Sequence, residues 1–107
     1  MQNLKSKDEF ENLKSHSPML IVQVGSSTCL PCLSIKNKID AWISSHNKIS
    51  SIYISLEQFP EICAELSVFC VPTLLLFTEN KKALFQSGYF SVDEFLSKCE
   101  RLEKIIF

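Results

Sequence analysis

The chain has 107 residues, of which 46% are hydrophobic and 21% charged, and its formal net charge is −1. This length and composition are typical of a folded protein with one hydrophobic core, and we expect one domain over residues 1–107. The near-neutral charge and the lack of a basic stripe argue against nucleic acid or an anionic membrane as a partner.

The N-terminal residues Met1 to Glu9 are polar and lack the apolar core of a secretion signal. No apolar run approaches the roughly 18 residues that a membrane span needs. We therefore expect a cytoplasmic protein with no membrane partner.

The first half of the chain predicts helices that alternate with strands. Ser6 to Glu9 has the pattern of a capping box, and the apolar Phe10 follows it at helical spacing. Met19 to Val24 is a short apolar run, as expected of a central strand. After a break at Gly25 to Thr28, apolar residues recur at the helical period from Leu30 to about His46.

The second half predicts two more helices and three more strands. Their ranges are a strand at Ser51–Ser55, a short helix at Pro60–Leu66, a buried strand at Thr73–Thr78, a returning strand at Lys82–Ser87 and a last helix to Ile106. Ser91 to Glu94 is a second capping box and begins that last helix.

With a short strand before the first helix, the predicted order is β, α, β, α, β, α, β, β, α. Helices that alternate with strands favour parallel pairing, and the final pair of strands favours a hairpin. The sequence therefore predicts an α/β fold with a central mixed sheet of four to five strands and helices on both faces.

Two of the five cysteines, Cys29 and Cys32, lie where a predicted strand ends and a helix begins. An odd number of cysteines does not suit a purely structural disulfide framework. The unpaired N–H groups of a helix N-terminus favour a thiolate, which is the reactive form of cysteine. This context favours redox chemistry, while an inert buried pair or half of a zinc site stays open as an alternative.

Further along the chain, several segments have the same order and spacing as motifs of one known family. The segments are Cys29-Leu30-Pro31-Cys32, Ser55 to Pro60, Val71-Pro72-Thr73 with the apolar run after it, and Gly88. Together they resemble the thioredoxin family over essentially the whole chain. The resemblance implies the thioredoxin-like fold and a thiol–disulfide exchange activity.

The resemblance also implies residue roles. Cys29 would be the catalytic nucleophile, Cys32 the resolving thiol, and the two would form the redox-active disulfide. Pro72 would follow a cis peptide bond beside the pair, which a fold can hold at a cost of about 0.5–1 kcal/mol. Val71, Pro72 and Gly88 would bind the substrate, with the backbone of Val71 pairing to an extended segment.

This chain departs from the family at positions around the cysteine pair. Gln23 lies where the family has a buried aspartate, and Tyr53 lies where a lysine usually partners that aspartate. Gln23 can form hydrogen bonds but cannot titrate. Gly25 and Thr28 replace common tryptophans. These changes bear on the rate, the potential and the choice of partner.

The other three cysteines are not part of the pair. Cys70, two residues before Pro72, would border the docking surface as a regulatory thiol or serve as a small apolar loop residue. Cys63 and Cys99 lie on helical stretches, where inert packing is favoured. A zinc site formed by Cys29, Cys32, Cys63 and Cys70 has the wrong spacing for a knuckle, so no metal ligand is predicted.

The sequence thus predicts a protein-disulfide reductase that acts through Cys29 and Cys32 in cell redox homeostasis. We expect no bound cofactor and a monomer whose partners are protein disulfides and a thioredoxin-reductase-type electron donor. The alternative is a redox-degenerate binding module that recognises a protein partner. Loss of the usual polar pair at Gln23 and Tyr53 favours that alternative more than in a standard member of the family.

Overall fold

A computed structural model describes residues 1–107 and contains five strands and four helices. In chain order they are β1 (Gln2–Asn3), α1 (Lys7–His16), β2 (Met19–Gly25), α2 (Leu30–Ile43), β3 (Ser50–Ser55), α3 (Pro60–Glu65), β4 (Thr73–Thr78), β5 (Lys81–Ser87) and α4 (Val92–Ile106). The predicted order of elements is confirmed, and most predicted ends differ by only one residue.

The five strands form one mixed sheet in the order β1-β3-β2-β4-β5. The strands β1, β3 and β2 are parallel, whereas β4 pairs antiparallel to both β2 and β5. The β4–β5 turn contains Glu79 and Asn80 with φ values of 51° and 69°. The strand β2 lies at the centre of the sheet, and all seven of its residues are buried.

Helices cover both faces of the sheet, so the core has two halves. On one face, α1 and α3 pack on the sheet and contribute Phe10, Ile62 and Cys63 to a cluster with Val22 and Ile54. On the other face, α2 and α4 contribute Ile39, Phe95 and Cys99 to a second cluster that also contains Ile21 and Leu74. The alternating sides of β2 residues therefore serve two different helix layers.

The predicted capping boxes begin their helices. The hydroxyls of Ser6 and Ser91 accept hydrogen bonds from the backbone N–H groups of Glu9 and Glu94, at 3.1 Å in each case. Each bond satisfies one donor that the first turn would otherwise leave unpaired.

The predicted end of α2 at about His46 was wrong, because α2 ends at Ile43. The hydroxyls of Ser44 and Ser45 donate hydrogen bonds to the carbonyls of Ala41 and Trp42, at 2.7 and 3.1 Å. Serine side chains that bind nearby carbonyls compete with helix continuation.

None of the four helices combines the length and the apolar character required to cross a lipid bilayer.

Candidate functional site

The cysteine pair lies at the N-terminus of α2, at the carboxyl end of the central strand. Cys29 is the N-cap residue of α2, and its Sγ accepts a hydrogen bond from the backbone N–H of Cys32 at 3.2 Å. The two sulfurs are joined as a disulfide, with Cα atoms 5.3 Å apart. Pro31 lies in the first turn, where its missing N–H costs nothing.

A groove of about 350 Å³ lies beside Cys29. It is lined by residues of three segments: Ser26, Thr28, Cys29, Pro31, Val71, Pro72, Gly88 and Tyr89. Four of the residues that the sequence predicted for the site are therefore together, namely Cys29, Val71, Pro72 and Gly88. Cys32 lies behind them and is only 1% exposed.

The groove wall opposite Cys29 offers free backbone groups. The Val71–Pro72 peptide bond is cis, and neither the N–H nor the C=O of Val71 forms a hydrogen bond within the protein. Gly88 has φ +79°, and its N–H donates to the carbonyl of Pro72 at 3.1 Å. A Cβ at Gly88 would meet no atom within 4 Å, so the space above this residue is open.

Gln23 lies beneath the pair and is fully buried. Its Nε2 donates a hydrogen bond to the carbonyl of Cys32 at 2.7 Å. Its Oε1 is buried with no hydrogen-bond partner. Since the acceptor is a carbonyl, the amide nitrogen must face it, which fixes the orientation of the side chain.

Tyr53 fills the space that the missing side chain of Gly25 leaves next to Cys32. A Cβ at Gly25 would overlap the Tyr53 hydroxyl and would lie 3.0 Å from the Cys32 sulfur. Burial raises the pKa of the Tyr53 hydroxyl above its usual value, and the negative charge of Glu57 raises it further. The neutral phenol is therefore the form present near neutral pH.

Glu57 contacts the loop that leads to Cys29. Its two carboxylate oxygens accept hydrogen bonds from the backbone N–H and the hydroxyl of Ser27, at 2.6 and 2.8 Å. These two bonds lower the pKa of Glu57, so the carboxylate stays charged. Glu57 is exposed and lies two residues after the end of β3, and the sequence did not predict its bonds to Ser27.

The three remaining cysteines have different surroundings. Cys63 and Cys99 are buried, and burial raises the pKa of both thiols, that of Cys99 to about 12. Cys70 is exposed, and its Sγ lies 2.9 Å from the hydroxyl of Ser87. Cys70 does not line the groove, and its regulatory role stays a prediction.

Two exposed aromatic side chains, Tyr89 and Phe69, were not singled out from the sequence. Tyr89 lines the groove and is fully exposed, and Phe69 is also largely exposed. Tyr89 follows Gly88 directly in the sequence. Its position next to a predicted site residue could therefore have indicated that it lies in the groove. No similar signal marks Phe69.

The site has the parts needed for two-electron sulfur chemistry. One sulfur faces a groove and accepts a hydrogen bond from a backbone N–H, and a second sulfur can bond to the first. No group of three or more His, Cys, Asp or Glu side chains is placed so that it could hold a metal ion.

Comparison of the sequence with known proteins identifies a matching family model and several similar relatives. The family model described as Thioredoxin matches residues 2–101. Thioredoxin-2 of Pyricularia oryzae is 30% identical over 83 residues, which are 77% of this chain and 48% of that protein. Thioredoxin H2 of Arabidopsis thaliana is 26% identical over 68% of this chain and 55% of that protein. The chain thus spans about half the length of these two curated relatives.

Solved structures share the fold. Mitochondrial thioredoxin 3 of Saccharomyces cerevisiae, in its oxidised form, superposes with a TM-score of 0.85 at 18% identity and covers 94% of both chains. The thioredoxin of Plasmodium falciparum gives a TM-score of 0.85 at 17% identity over 94% of this chain and 98% of that chain. At this level of identity the likeness concerns the fold.

Proposed function

The chain belongs to the thioredoxin family, and we propose that it is a protein-disulfide reductase whose working group is the Cys29–Cys32 pair. The observation that carries the proposal is the place of Cys29. Its sulfur caps the first turn of α2 and faces a groove whose opposite wall has unpaired backbone groups at Val71. Redox-degenerate binding is not favoured, because the pair and the groove are both formed.

The exchange takes place in two steps. The Cys29 thiolate attacks one sulfur of a substrate disulfide, which forms a mixed disulfide and releases the other substrate sulfur as a thiolate that takes a proton from water. The Cys32 thiolate then attacks the Cys29 sulfur. The Cys29–Cys32 disulfide forms, and the second substrate sulfur leaves as a thiolate that takes a proton from water. The substrate thus gains the two electrons that the pair loses.

The helix N-terminus supports the choice of Cys29 as the nucleophile. The N–H of Cys32 points at its sulfur, and hydrogen bonds and the helix dipole both favour the negative form of a thiol. Substrate would bind as an extended segment along Val71, with Pro72 and Gly88 as the neighbouring wall. A dithiol donor of the thioredoxin-reductase type would restore the reduced pair.

The proposal extends to a single domain over residues 1–107 that works in the cytoplasm as a monomer and needs no bound cofactor. Size-exclusion chromatography with light scattering would test the monomer, since a dimer would elute with twice the 12.2 kDa mass.

The activity is tested by insulin reduction with dithiothreitol. The wild type should accelerate precipitation of the insulin chains, and Cys29→Ser should reduce the rate to that of dithiothreitol alone. Cys63→Ser is the matched control, because this buried thiol lies in the core cluster on the other face of the sheet from α2. A wild type that is no faster than Cys29→Ser would show that the chain is not a reductase.

A further inference from the structure

The two-step exchange requires that the resolving thiol, Cys32, lose its proton, and the usual scheme does not explain how this occurs in this chain. Cys32 is 1% exposed, so its thiol has almost no direct contact with water. The thiol must nevertheless lose its proton before it can attack the mixed disulfide at Cys29. The side chain beneath it, Gln23, cannot accept that proton.

Tyr53 is the hydroxyl-bearing side chain next to the Cys32 sulfur. Both groups lie against the same vacant Cβ position at Gly25. Tyr53 and Gln23 are paired in register on the adjacent strands β3 and β2, so their side chains lie on the same face of the sheet, beneath α2. The glycine at position 25 is what allows the phenol to reach this place.

Tyr53 also faces solvent. Its side chain is half-buried and lines a surface pocket of about 270 Å³ together with Asn3, Ser27 and Glu57. The tyrosine thus connects a buried sulfur with a water-accessible pocket. Its hydroxyl donates no hydrogen bond to any protein group in the oxidised form, where the disulfide sulfur is a weak acceptor.

We propose that the Tyr53 hydroxyl carries the proton of Cys32 to solvent and then hydrogen-bonds the Cys32 thiolate in the resolving step. The phenol oxygen accepts the thiol proton while its own proton passes to a water in the pocket. The O–H bond so formed points at the thiolate. The thiolate electrons form the bond to Cys29, the mixed disulfide breaks, and the departing substrate thiolate takes a proton from water.

Two charged groups face Tyr53 and enter any pH dependence. Lys36 of α2 lies with its Nζ 5.0 Å from the centre of the Tyr53 ring. Glu57, after β3, contributes a negative charge on the pocket side, where Ser27 binds it. The neighbours from β2 are the uncharged Gly25 and Gln23. The role of Tyr53 as a further catalytic group rests on the proposed reductase function.

The test separates the two exchange steps with an aromatic disulfide, Ellman's reagent, in stopped-flow measurements on the reduced protein. A Cys70→Ser background removes the exposed third thiol. Attack by Cys29 releases the first coloured thiolate, and resolution by Cys32 releases the second. Tyr53→Phe should slow only the second release, by about tenfold at pH 7, as expected for the loss of a hydrogen bond to a charged group.

The slowing should shrink as the pH rises, because at high pH the Cys32 thiol ionises without help. Tyr53→Phe retains the ring over which Lys36 lies and removes a hydroxyl without a protein partner, so the variant should fold. Ser51→Ala is the matched control. It removes a hydroxyl from the same face of β3 at a greater distance from Cys32, and both phases should keep their wild-type rates.

Two results would overturn the role of Tyr53 alone: a second release in Tyr53→Phe at the wild-type rate, or an equal slowing of both releases. Absence of any second release from the Cys70→Ser protein with Tyr53 intact would instead overturn the reductase function, and the role of Tyr53 with it.

Discussion

At the scale of single residues, polar side chains fix the two segments that carry the cysteine pair, namely the first turn of α2 and the loop before it. Gln23 holds the first turn of α2 from below through the carbonyl of Cys32. Glu57 holds the preceding loop through two hydrogen bonds to Ser27. These bonds connect the loop before Cys29 to the segment after β3, and the sulfur of Cys29 lines the groove.

The charge-assisted hydrogen bonds between Glu57 and Ser27 make protein stability depend on pH. Its pKa in the folded protein lies below the ordinary value of 4.5, so the folded form gains stability when the group is charged. That contribution is fully present above pH 4.5 and is lost as the pH falls through the folded pKa. Glu57→Gln should therefore lower stability at pH 7 but leave it unchanged once the wild-type carboxyl is protonated.

Urea unfolding at pH 7 and at pH 2 measures this difference. Ser27→Ala in a double-mutant cycle is the control, because it removes the partner hydroxyl, and the two changes should be less than additive at pH 7. An equal loss of stability at both pH values would exclude the charged contact as the cause.

At the scale of elements, α2 and α4 differ in how they use cysteine. In α2 the sulfur of Cys29 caps the helix and faces the groove. In α4, Cys99 is completely buried against the sheet with Phe95 and Leu96. The same side chain is thus a reactive group at one helix end and a small apolar residue in the middle of another helix.

The burial of Cys99 predicts a loss of stability in alkali. Burial raises the pKa of this thiol from 9.0 to about 12. In the unfolded chain the thiol ionises above pH 9, while the folded chain keeps its proton until about pH 12. The contribution of this group is therefore present below pH 9 and falls as the pH rises from 9 to 12.

At pH 10 the effect should be about 1 kcal/mol relative to pH 8. The measurement is urea unfolding of the wild type and of Cys99→Ala at both pH values. The variant is less stable at pH 8 because it leaves a cavity, and its deficit should shrink by that amount at pH 10. A constant deficit would show that Cys99 is accessible to ionisation in the folded state.

At the scale of the whole molecule, the single tryptophan lies far from the Cys29–Cys32 pair. Trp42 stacks on His46 with ring centres 3.6 Å apart, near the C-terminal end of α2. Ten residues separate it from Cys32 along the helix, which corresponds to about 15 Å. The positions near the pair where the family often has tryptophan are Gly25 and Thr28.

Intrinsic tryptophan fluorescence should therefore not change when the Cys29–Cys32 disulfide is reduced. Emission spectra before and after treatment with dithiothreitol measure this. The matched control is Thr28→Trp combined with Trp42→Phe, which moves the indole to the groove beside Cys29. In that variant the emission should change on reduction, whereas a change in the wild type would contradict the separation of Trp42 from the pair.

Much of this architecture was predictable from local patterns. Strand Met19–Gly25 is buried throughout and almost entirely apolar, the helices that begin after Ser6 and Ser91 have cap residues, and Cys29 precedes a helix with proline in its first turn. These features depend on neighbours within a few residues, so the sequence displays them directly. The end of α2 was less accessible, because Ser44 and Ser45 bind carbonyls in a way that apolar spacing does not reveal.

The sequence by itself determined the order of elements, the position of the cysteine pair at a helix start and the family to which those motifs point. Only the tertiary structure decided that Tyr53 reaches the side of Cys32, that Glu57 binds Ser27 and that the backbone of Val71 is unpaired. The physical reason is that helix caps and apolar periods are local. The contacts at the site instead join side chains of different strands and loops, whose separation depends on sheet register and on the absence of a single Cβ at Gly25.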